Sequence, residues 1–255
     1  MTQAVADSPR IFDVSVREAR MCIDRILLVC GLPPGYVHGV REVVLLSQSM
    51  GLGGFRALYE GHAGLREGFL DRVVVADAED GALVVDGAGI HAWVLLPTLM
   101  DLGVERARAA GRATLRVSGV TAVHELHVMA GLGKRYGIGA EVSQPDETGG
   151  RGQKAVVTLF NTARPRGIDD WDPLLAHAIR YGYPVEAGLW RAIHALSNQA
   201  LAPDSVVSRR HAGPVILRDD GTLQGRPPAD DDMDLNMLRH VPSSQGCASR
   251  EGQPT

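Results

Sequence analysis

The chain has 255 residues, of which 45% are hydrophobic and 22% are charged, and its formal net charge is -4. This composition is typical of a globular protein with a sizeable core, and it excludes a fibrous or mainly disordered chain. Arginines alternate with acidic residues, so no broad basic surface for nucleic acid is expected. No apolar run reaches the about 20 residues of a membrane span, and the N-terminus lacks a signal-peptide pattern. We therefore expect a cytoplasmic protein without a nucleic-acid or membrane partner.

The first predicted elements are two helices. Apolar residues at helical spacing predict a helix over residues 13–30, which a Gly-Leu-Pro-Pro stop ends. A second helix is predicted over about 36–50, and a glycine-rich corner follows it before "FRALYEG". Cys22 and Cys30 fall on the apolar side of the first helix, with a spacing that suits neither a disulfide framework nor a metal site. We expect both to be buried structural thiols.

Strands and helices then alternate. Two β-branched segments around Glu79-Asp80-Gly81 predict a hairpin. The pattern further predicts a helix over 93–110, a strand at 113–119, a helix over 122–135, strands at 137–144 and 154–160, and one or two helices over 172–201 interrupted at Gly182-Tyr183-Pro184. This order predicts an α/β, mixed α+β fold in which an N-terminal helical pair packs on a mixed sheet with flanking helices.

The predicted domain organisation is simple. Residues 1–12 form an N-terminal arm, and residues 13–217 form a single globular domain. Residues 218–255 contain too few large apolar side chains to cover a core. We therefore expect them to be a flexible tail.

Three segments carry a family resemblance through their order and spacing: "GLPPGYVHGVREVVLLSQSMG", "VDGAGIHAWVLLPTLMDLGVERARAAGRATLRVSG" and "YGIGAEVSQ". Together, over about residues 13–144, the chain resembles the malate/L-lactate dehydrogenase family. That family is unrelated to the Rossmann-fold lactate dehydrogenases and includes ureidoglycolate, sulfolactate and cyclic imino-acid enzymes. The chain is short for the family and also resembles shorter bacterial proteins that look like its divergent relatives.

The resemblance implies a non-Rossmann fold whose first helices wall an active site, and a homodimer with residues of both chains at each site. It also implies a small carboxylated metabolite as substrate and NAD(P) as cofactor. No motif supports the cofactor, because the family's Gly-Thr-Asn-Pro loop is missing and no G-x-G-x-x-G opens a helix after a strand.

The chain departs from the family at the residues that carry its chemistry. The histidine of the family's Ser-His-Gly motif falls on Phe55, or on Met50 in a shifted register, and its later arginine falls on Tyr59. Neither phenylalanine nor methionine can transfer a proton. The family's second histidine motif ends at Ala122, so an imidazole is missing there unless His124 supplies it.

Two places hold histidines that could act instead. His91 follows Asp-Gly-Ala-Gly at a helix start, where loop amides and the helix dipole can bind an anion, although a polar residue merely packed there is an equal alternative. His124 and His127 are three residues apart and would share a helical face, while Glu125 is expected to point elsewhere. No third ligand is evident, so we predict no metal site. The candidate catalytic residues are these two histidines, His91 and His124, together with Tyr59.

Candidate substrate-binding residues carry positive charge. Arg56 lies three residues before Tyr59 beside the glycine-rich corner, a spacing that would present a guanidinium and a phenol to a carboxylate. A surface arginine beside a half-buried tyrosine is the alternative. Arg209 and His211 lie in "SRRHAG", which would bind an anion or form a solvated helix end.

Three functional hypotheses follow. The first is a reductase or dehydrogenase of a small 2-oxo or 2-imino carboxylic acid, with remodelled acid and base residues. The second keeps the scaffold without redox chemistry, as a lyase, isomerase or cyclase of a carboxylated metabolite. The third is a non-catalytic partner subunit.

Overall fold

The structure is a computed structural model that describes residues 10–67, 70–144, 154–201 and 215–225. The chain divides into two units, Met1–Leu201 and Ala202–Thr255. Within the described ranges, the first unit holds the helices and the main sheet. No described helix is long and apolar enough to cross a bilayer.

The described chain begins with a short strand rather than a helix. Strand β1 (Ile11–Val14) pairs antiparallel with β7 (Tyr183–Glu186). Ser15 then caps helix α1 (Val16–Val29), since its hydroxyl accepts a hydrogen bond from the N–H of Glu18 at 3.2 Å. The prediction of a helix from residue 13 is therefore wrong at its start, because these residues pair with a strand far along the chain.

Helices α2 (Pro34–Ser49) and α3 (Gly54–Gly61) confirm the second predicted helix and the corner after it. Pro34 occupies the first turn of α2, where a missing N–H has little cost. Gly51 and Gly53 have φ values of 77° and 81°. Residues with a Cβ atom rarely adopt this left-handed backbone conformation. Two 3-10 helices follow, at His62–Arg66 and Leu70–Arg72.

Five strands form the main sheet, in the order β2-β3-β4-β6-β5. Strands β3 and β4 are parallel, and the other neighbours are antiparallel. The predicted hairpin and the three later strands are confirmed. The bounds are β2 (Val74–Asp77), β3 (Leu83–Asp86), β4 (Arg112–Ser118), β5 (Ile138–Ser143) and β6 (Ala155–Asn161).

Helix α4 (Ala92–Ala110) is the crossover between the parallel strands and packs on β4 and β6. Gly103 allows this close approach, because a Cβ there would lie 2.8 Å from the methyl groups of Leu159. The sheet residues on the side of α4 are buried and alternate along each strand: Leu83, Val85, Leu115, Val117, Val157 and Leu159. The core of the first unit therefore lies between this sheet face and the helices.

The segment after β4 differs from its prediction. Residues expected in one helix form a 3-10 helix (Val123–Val128) followed by helix α5 (Met129–Tyr136). The predicted break at Gly182 is confirmed, since Gly182 has a φ of 78° and the chain enters β7 after it. The remaining helices are α6 (Ile168–Trp171), α7 (Pro173–Tyr181), α8 (Ala187–Ser197) and a 3-10 helix at Asn198–Ala200.

In the second unit, the described residues form one hairpin. Strand β8 (Val215–Leu217) pairs antiparallel with β9 (Leu223–Gly225). The boundary that we predict after Leu217 falls inside this hairpin. The rest of the predicted tail, residues 226–255, lies outside the described residues, so its flexibility stays a prediction.

Candidate functional site

The carboxyl ends of β3 and β4 lie side by side at one edge of the main sheet, with Asp86 opposite Ser118. The chain leaving β3 reaches His91 at the start of α4, and the chain leaving β4 reaches His124 on the 3-10 helix. Ligand sites of open α/β sheets form outside the carboxyl ends of the strands. This edge, with its two histidines, is therefore the candidate site.

His91 is the N-cap residue of α4. Its Nδ1 accepts a hydrogen bond from the N–H of Trp93 at 3.2 Å, and the two rings pack with their centroids 4.7 Å apart. Because Nδ1 accepts, the proton of the neutral ring is on Nε2. Burial lowers the pKa of His91 to about 4, and the charge of nearby His124 adds to the shift. At neutral pH, His91 therefore presents an uncharged ring with an Nε2–H donor.

His124 and Glu125 are neighbours in opposite environments. The His124 side chain is 60% exposed, whereas that of Glu125 is only 1% exposed. The Nε2 atom of His124 lies 3.6 Å from the Oε1 atom of Glu125. The burial of Glu125 beside an exposed His124 agrees with the expectation that Glu125 points elsewhere, but its Oε1 atom still lies within ion-pair distance of the His124 ring. His91, His124 and Glu125 thus form one cluster, which we call the histidine cluster.

Two alanines beside the histidine cluster have left-handed backbone. Ala88 and Ala122 both have a φ of 50°, and no other non-glycine residue in the described ranges has a positive φ. This conformation costs about 1–2 kcal/mol for a residue with a Cβ. Such strain persists where the surrounding structure enforces it, and it concentrates at functional sites.

The backbone amides around the start of α4 already have acceptors within the chain. Gly89 donates to the carbonyl of Gly119 at 2.7 Å, and Trp93 donates to His91. The same holds for the amides of Gly87, Ala88, Ile90, Ala92 and Val94. These amides are therefore not available to an anion, and anion binding beside His91 stays a prediction. What His91 offers to a ligand is its ring.

Arg56 and Tyr59 lie on α3, which packs against α2 and α8. The Arg56 guanidinium is 55% exposed and pairs with Glu60 at 3.5 Å and with Glu186 at 3.2 Å. Tyr59 is 39% exposed. These contacts fit the surface alternative, because two carboxylates already neutralise the charge that a substrate would need.

The other predicted site residues fall elsewhere. Arg209 and His211 lie outside the described residues, so their assignment stays a prediction. His127 is half-buried on the 3-10 helix. Among the described residues, no group of three His, Cys, Asp or Glu side chains could hold a metal ion.

The positions that the resemblance assigns to two histidines lie in different surroundings. Phe55 is buried, with its ring 5.4 Å from that of Tyr183 and 5.8 Å from that of Trp190. Met50 is partly buried against the core. Phe55 therefore packs α3 against α8, whereas Ala122 belongs to the loop beside His91.

Two cavities differ in their distance from the histidine cluster. A cavity of about 230 Å³ has mostly apolar walls, holds Arg66 and borders Ile90, the residue before His91. A larger one, of about 420 Å³, holds three arginines but lies at the amino end of β4, whose seven residues span about 20 Å. The smaller cavity reaches the residue before His91, and its lining includes neither His91 nor His124. No local pattern marks Arg66, because its cavity combines loops that are distant in sequence.

A nicotinamide dinucleotide needs a set of donors for its phosphates. The amides of the loop before α4 are engaged, and the arginine-lined cavity is at the opposite end of β4. The engaged amides of this loop are therefore not available to the phosphates of such a cofactor.

No protein-family model and no curated protein sequence matches this chain. Solved structures do match. A dehydrogenase from Sinorhizobium meliloti has a TM-score of 0.56 and 12% identity, with 74% of this chain and 100% of that chain covered. A proposed malate/lactate dehydrogenase from E. coli has a TM-score of 0.55 and 10% identity, with 78% and 98% covered. At these identities the likeness concerns the fold, and it confirms the predicted malate/L-lactate dehydrogenase-like fold class.

Proposed function

We propose that this protein is an enzyme, on an oxidoreductase-like scaffold, of a small 2-oxo or 2-imino carboxylic acid. The observation that supports this most strongly is the pair of imidazoles at the carboxyl edge of β3 and β4. Each ring has one nitrogen directed to the chain: Nδ1 of His91 to Trp93, and Nε2 of His124 to Glu125. Within the described residues, the other nitrogen of each ring has no partner.

The two rings supply complementary chemistry. The neutral ring of His91 donates a hydrogen bond from Nε2 to the carbonyl oxygen or imine nitrogen, which polarises the double bond. His124 is exposed and lies beside a carboxylate, so it is the ring that gives a proton to the same atom.

Arg66 is the proposed partner of the substrate carboxylate, in place of Arg56. Arg66 lines the cavity that borders Ile90 together with Glu67, and the other, apolar walls suit a short hydrocarbon chain. An arginine can hold a carboxylate with two parallel hydrogen bonds.

The reaction class has two candidates. The fold likeness to a dehydrogenase favours reduction. The engagement of the described loop amides before α4 favours a non-redox reaction at the same carbon, as in an isomerase, lyase or cyclase. Titration with NADH and with NADPH, followed by nicotinamide fluorescence and thermal unfolding, separates them: binding of either supports reduction, and binding of neither supports the non-redox class.

The proposed substrate class has its own test. Addition of pyruvate, oxaloacetate or 1-piperideine-2-carboxylate should shift the NMR signals of both His91 and His124. Acetate, which has a carboxylate but no 2-oxo group, is the control and should leave them in place. If none of the three compounds moves either ring signal, the proposed function is wrong.

Two further assignments are proposals of the same kind. The homodimer implied by the resemblance predicts a mass of two chains in sedimentation. The non-catalytic alternative predicts that the protein binds such an acid without converting it.

A further inference from the structure

Glu125 is an anomaly in the first unit. Its side chain is 1% exposed, and both carboxylate oxygens are buried without a hydrogen-bond donor among the described residues. A buried carboxylate without a donor or an opposite charge is strongly unfavourable. The buried Asp172 shows the usual solution, since it accepts from Arg135 at 2.7 Å and from the N–H of Leu175 at 2.9 Å.

Among the described residues, the His124 ring is the basic group that lies within ion-pair distance of Glu125. The 3.6 Å between Nε2 and Oε1 exceeds a normal hydrogen bond but is within ion-pair distance. A small rotation of the exposed His124 side chain would close the gap. His124 is therefore placed to give Glu125 the donor that it lacks.

We propose that Glu125 is a positioning residue for His124. It directs Nε2–H inward and leaves Nδ1 free for a ligand. This inference rests on the proposed role of His124 as proton donor. In that step the Nδ1–H bond breaks and an O–H or N–H bond forms on the substrate, while the remaining ring proton stays on Nε2 facing Glu125. Solvent then returns the proton, because the ring is 60% exposed.

A merely structural Glu125 predicts a different behaviour. Replacing a buried carboxylate that stabilises the fold would lower stability, whereas replacing one without partners by an apolar side chain is often neutral or stabilising. We therefore expect Glu125→Leu to keep or raise the midpoint of thermal unfolding. Glu105→Leu, at an exposed position of α4, is the matched control.

The tautomer of His124 gives the direct readout. Long-range ¹H–¹⁵N spectra of the full chain in mildly alkaline buffer report which ring nitrogen carries the proton. The wild type should hold it on Nε2. In Glu125→Leu the ratio of the Nε2–H to the Nδ1–H form should fall about fivefold, as expected for the loss of one hydrogen bond. Glu125→Gln, which keeps an acceptor oxygen, should restore the ratio, and Glu105→Leu should leave it unchanged.

The outcomes separate this inference from the proposed function. An unchanged tautomer ratio in Glu125→Leu overturns the positioning role. If Glu125→Leu does not fold, a wild-type ratio that already favours Nδ1–H overturns it as well. A changed ratio that Glu125→Gln restores supports the positioning role even if no 2-oxo or 2-imino acid moves the histidine signals, in which case only the proposed function fails.

Discussion

Two regions of the first unit handle buried polar groups in opposite ways. Between α5 and α7, the buried carboxylate of Asp172 has an opposite partner, since it accepts a hydrogen bond from Arg135 at 2.7 Å. In the histidine cluster, Glu125 has no donor among the described residues and His91 stays neutral. Satisfied charges fix packing, whereas unsatisfied groups lower stability and need another explanation. The comparison therefore assigns a stabilising ion pair to the first region and an unsatisfied carboxylate to the second.

The largest expected effect is in the paired region. Asp172→Ala removes the partner of Arg135 and the side-chain cap of α7, so it should lower the free energy of unfolding by about 3–5 kcal/mol. Asp169→Ala breaks an exposed pair with Arg180 and should cost at most about 1 kcal/mol. Urea unfolding measures both. Equal losses in the two variants would remove the distinction between the buried and exposed pairs.

The next effect is the pH dependence from His91. Its folded pKa of about 4 lies below the ordinary 6.5, so between these values the unfolded chain binds a proton that the folded chain does not. Stability should therefore rise with pH through this window, by at most about 3 kcal/mol. His91→Asn keeps an N-cap acceptor but removes the titration. Unfolding at several pH values should show a flatter profile in His91→Asn, and parallel profiles would contradict the buried neutral ring.

A smaller effect concerns backbone strain at the histidine cluster. Ala122→Gly should raise stability by about 0.5–1 kcal/mol, because glycine adopts its left-handed backbone without strain. Ala110→Gly, in the last turn of α4, is the opposite control and should lower stability by a similar amount. Thermal unfolding compares the two. A loss of stability in both would mean that Ala122 is not strained.

The smallest expected effect concerns the reactivity of the two buried thiols, Cys22 and Cys30. Burial raises the pKa of Cys22 and of Cys30, so neither is a ready nucleophile. Both should react with a thiol reagent at least about tenfold more slowly in the native protein than in urea. Peptide mapping after brief labelling checks each residue separately. Fast labelling of either cysteine in the native protein would show that its thiol is not buried in the core.

Local patterns were sufficient for most of the fold. The hairpin around Asp80 follows from two β-branched segments, and the turn at Gly182 follows from its Gly-Tyr-Pro sequence. Strand β1 was not predictable from Ile11–Val14 alone, because its partner β7 lies far away in sequence. Long-range pairing, rather than propensity, decides such short elements.

The candidate site was predictable only in part. His91 and His124 stand out by residue type and by their position after strands. The approach of Glu125 to His124 is not predictable, because adjacent helical residues usually diverge and only the structure shows the carboxylate 3.6 Å from the ring. Arg66 has no sequence signal, since its role depends on a cavity built from distant loops. Predicting the charge pairing of Arg56 with Glu186 likewise requires the tertiary packing of α3.

The most direct test of the histidine cluster is an NMR pH titration of the His91 ring in the wild type and in His124→Ala. The structure predicts a wild-type pKa of about 4, because the ring is buried. It also predicts a higher pKa in His124→Ala, since a nearby like charge is removed. A wild-type pKa near 6.5 that does not change in His124→Ala would show that the two rings do not share a site.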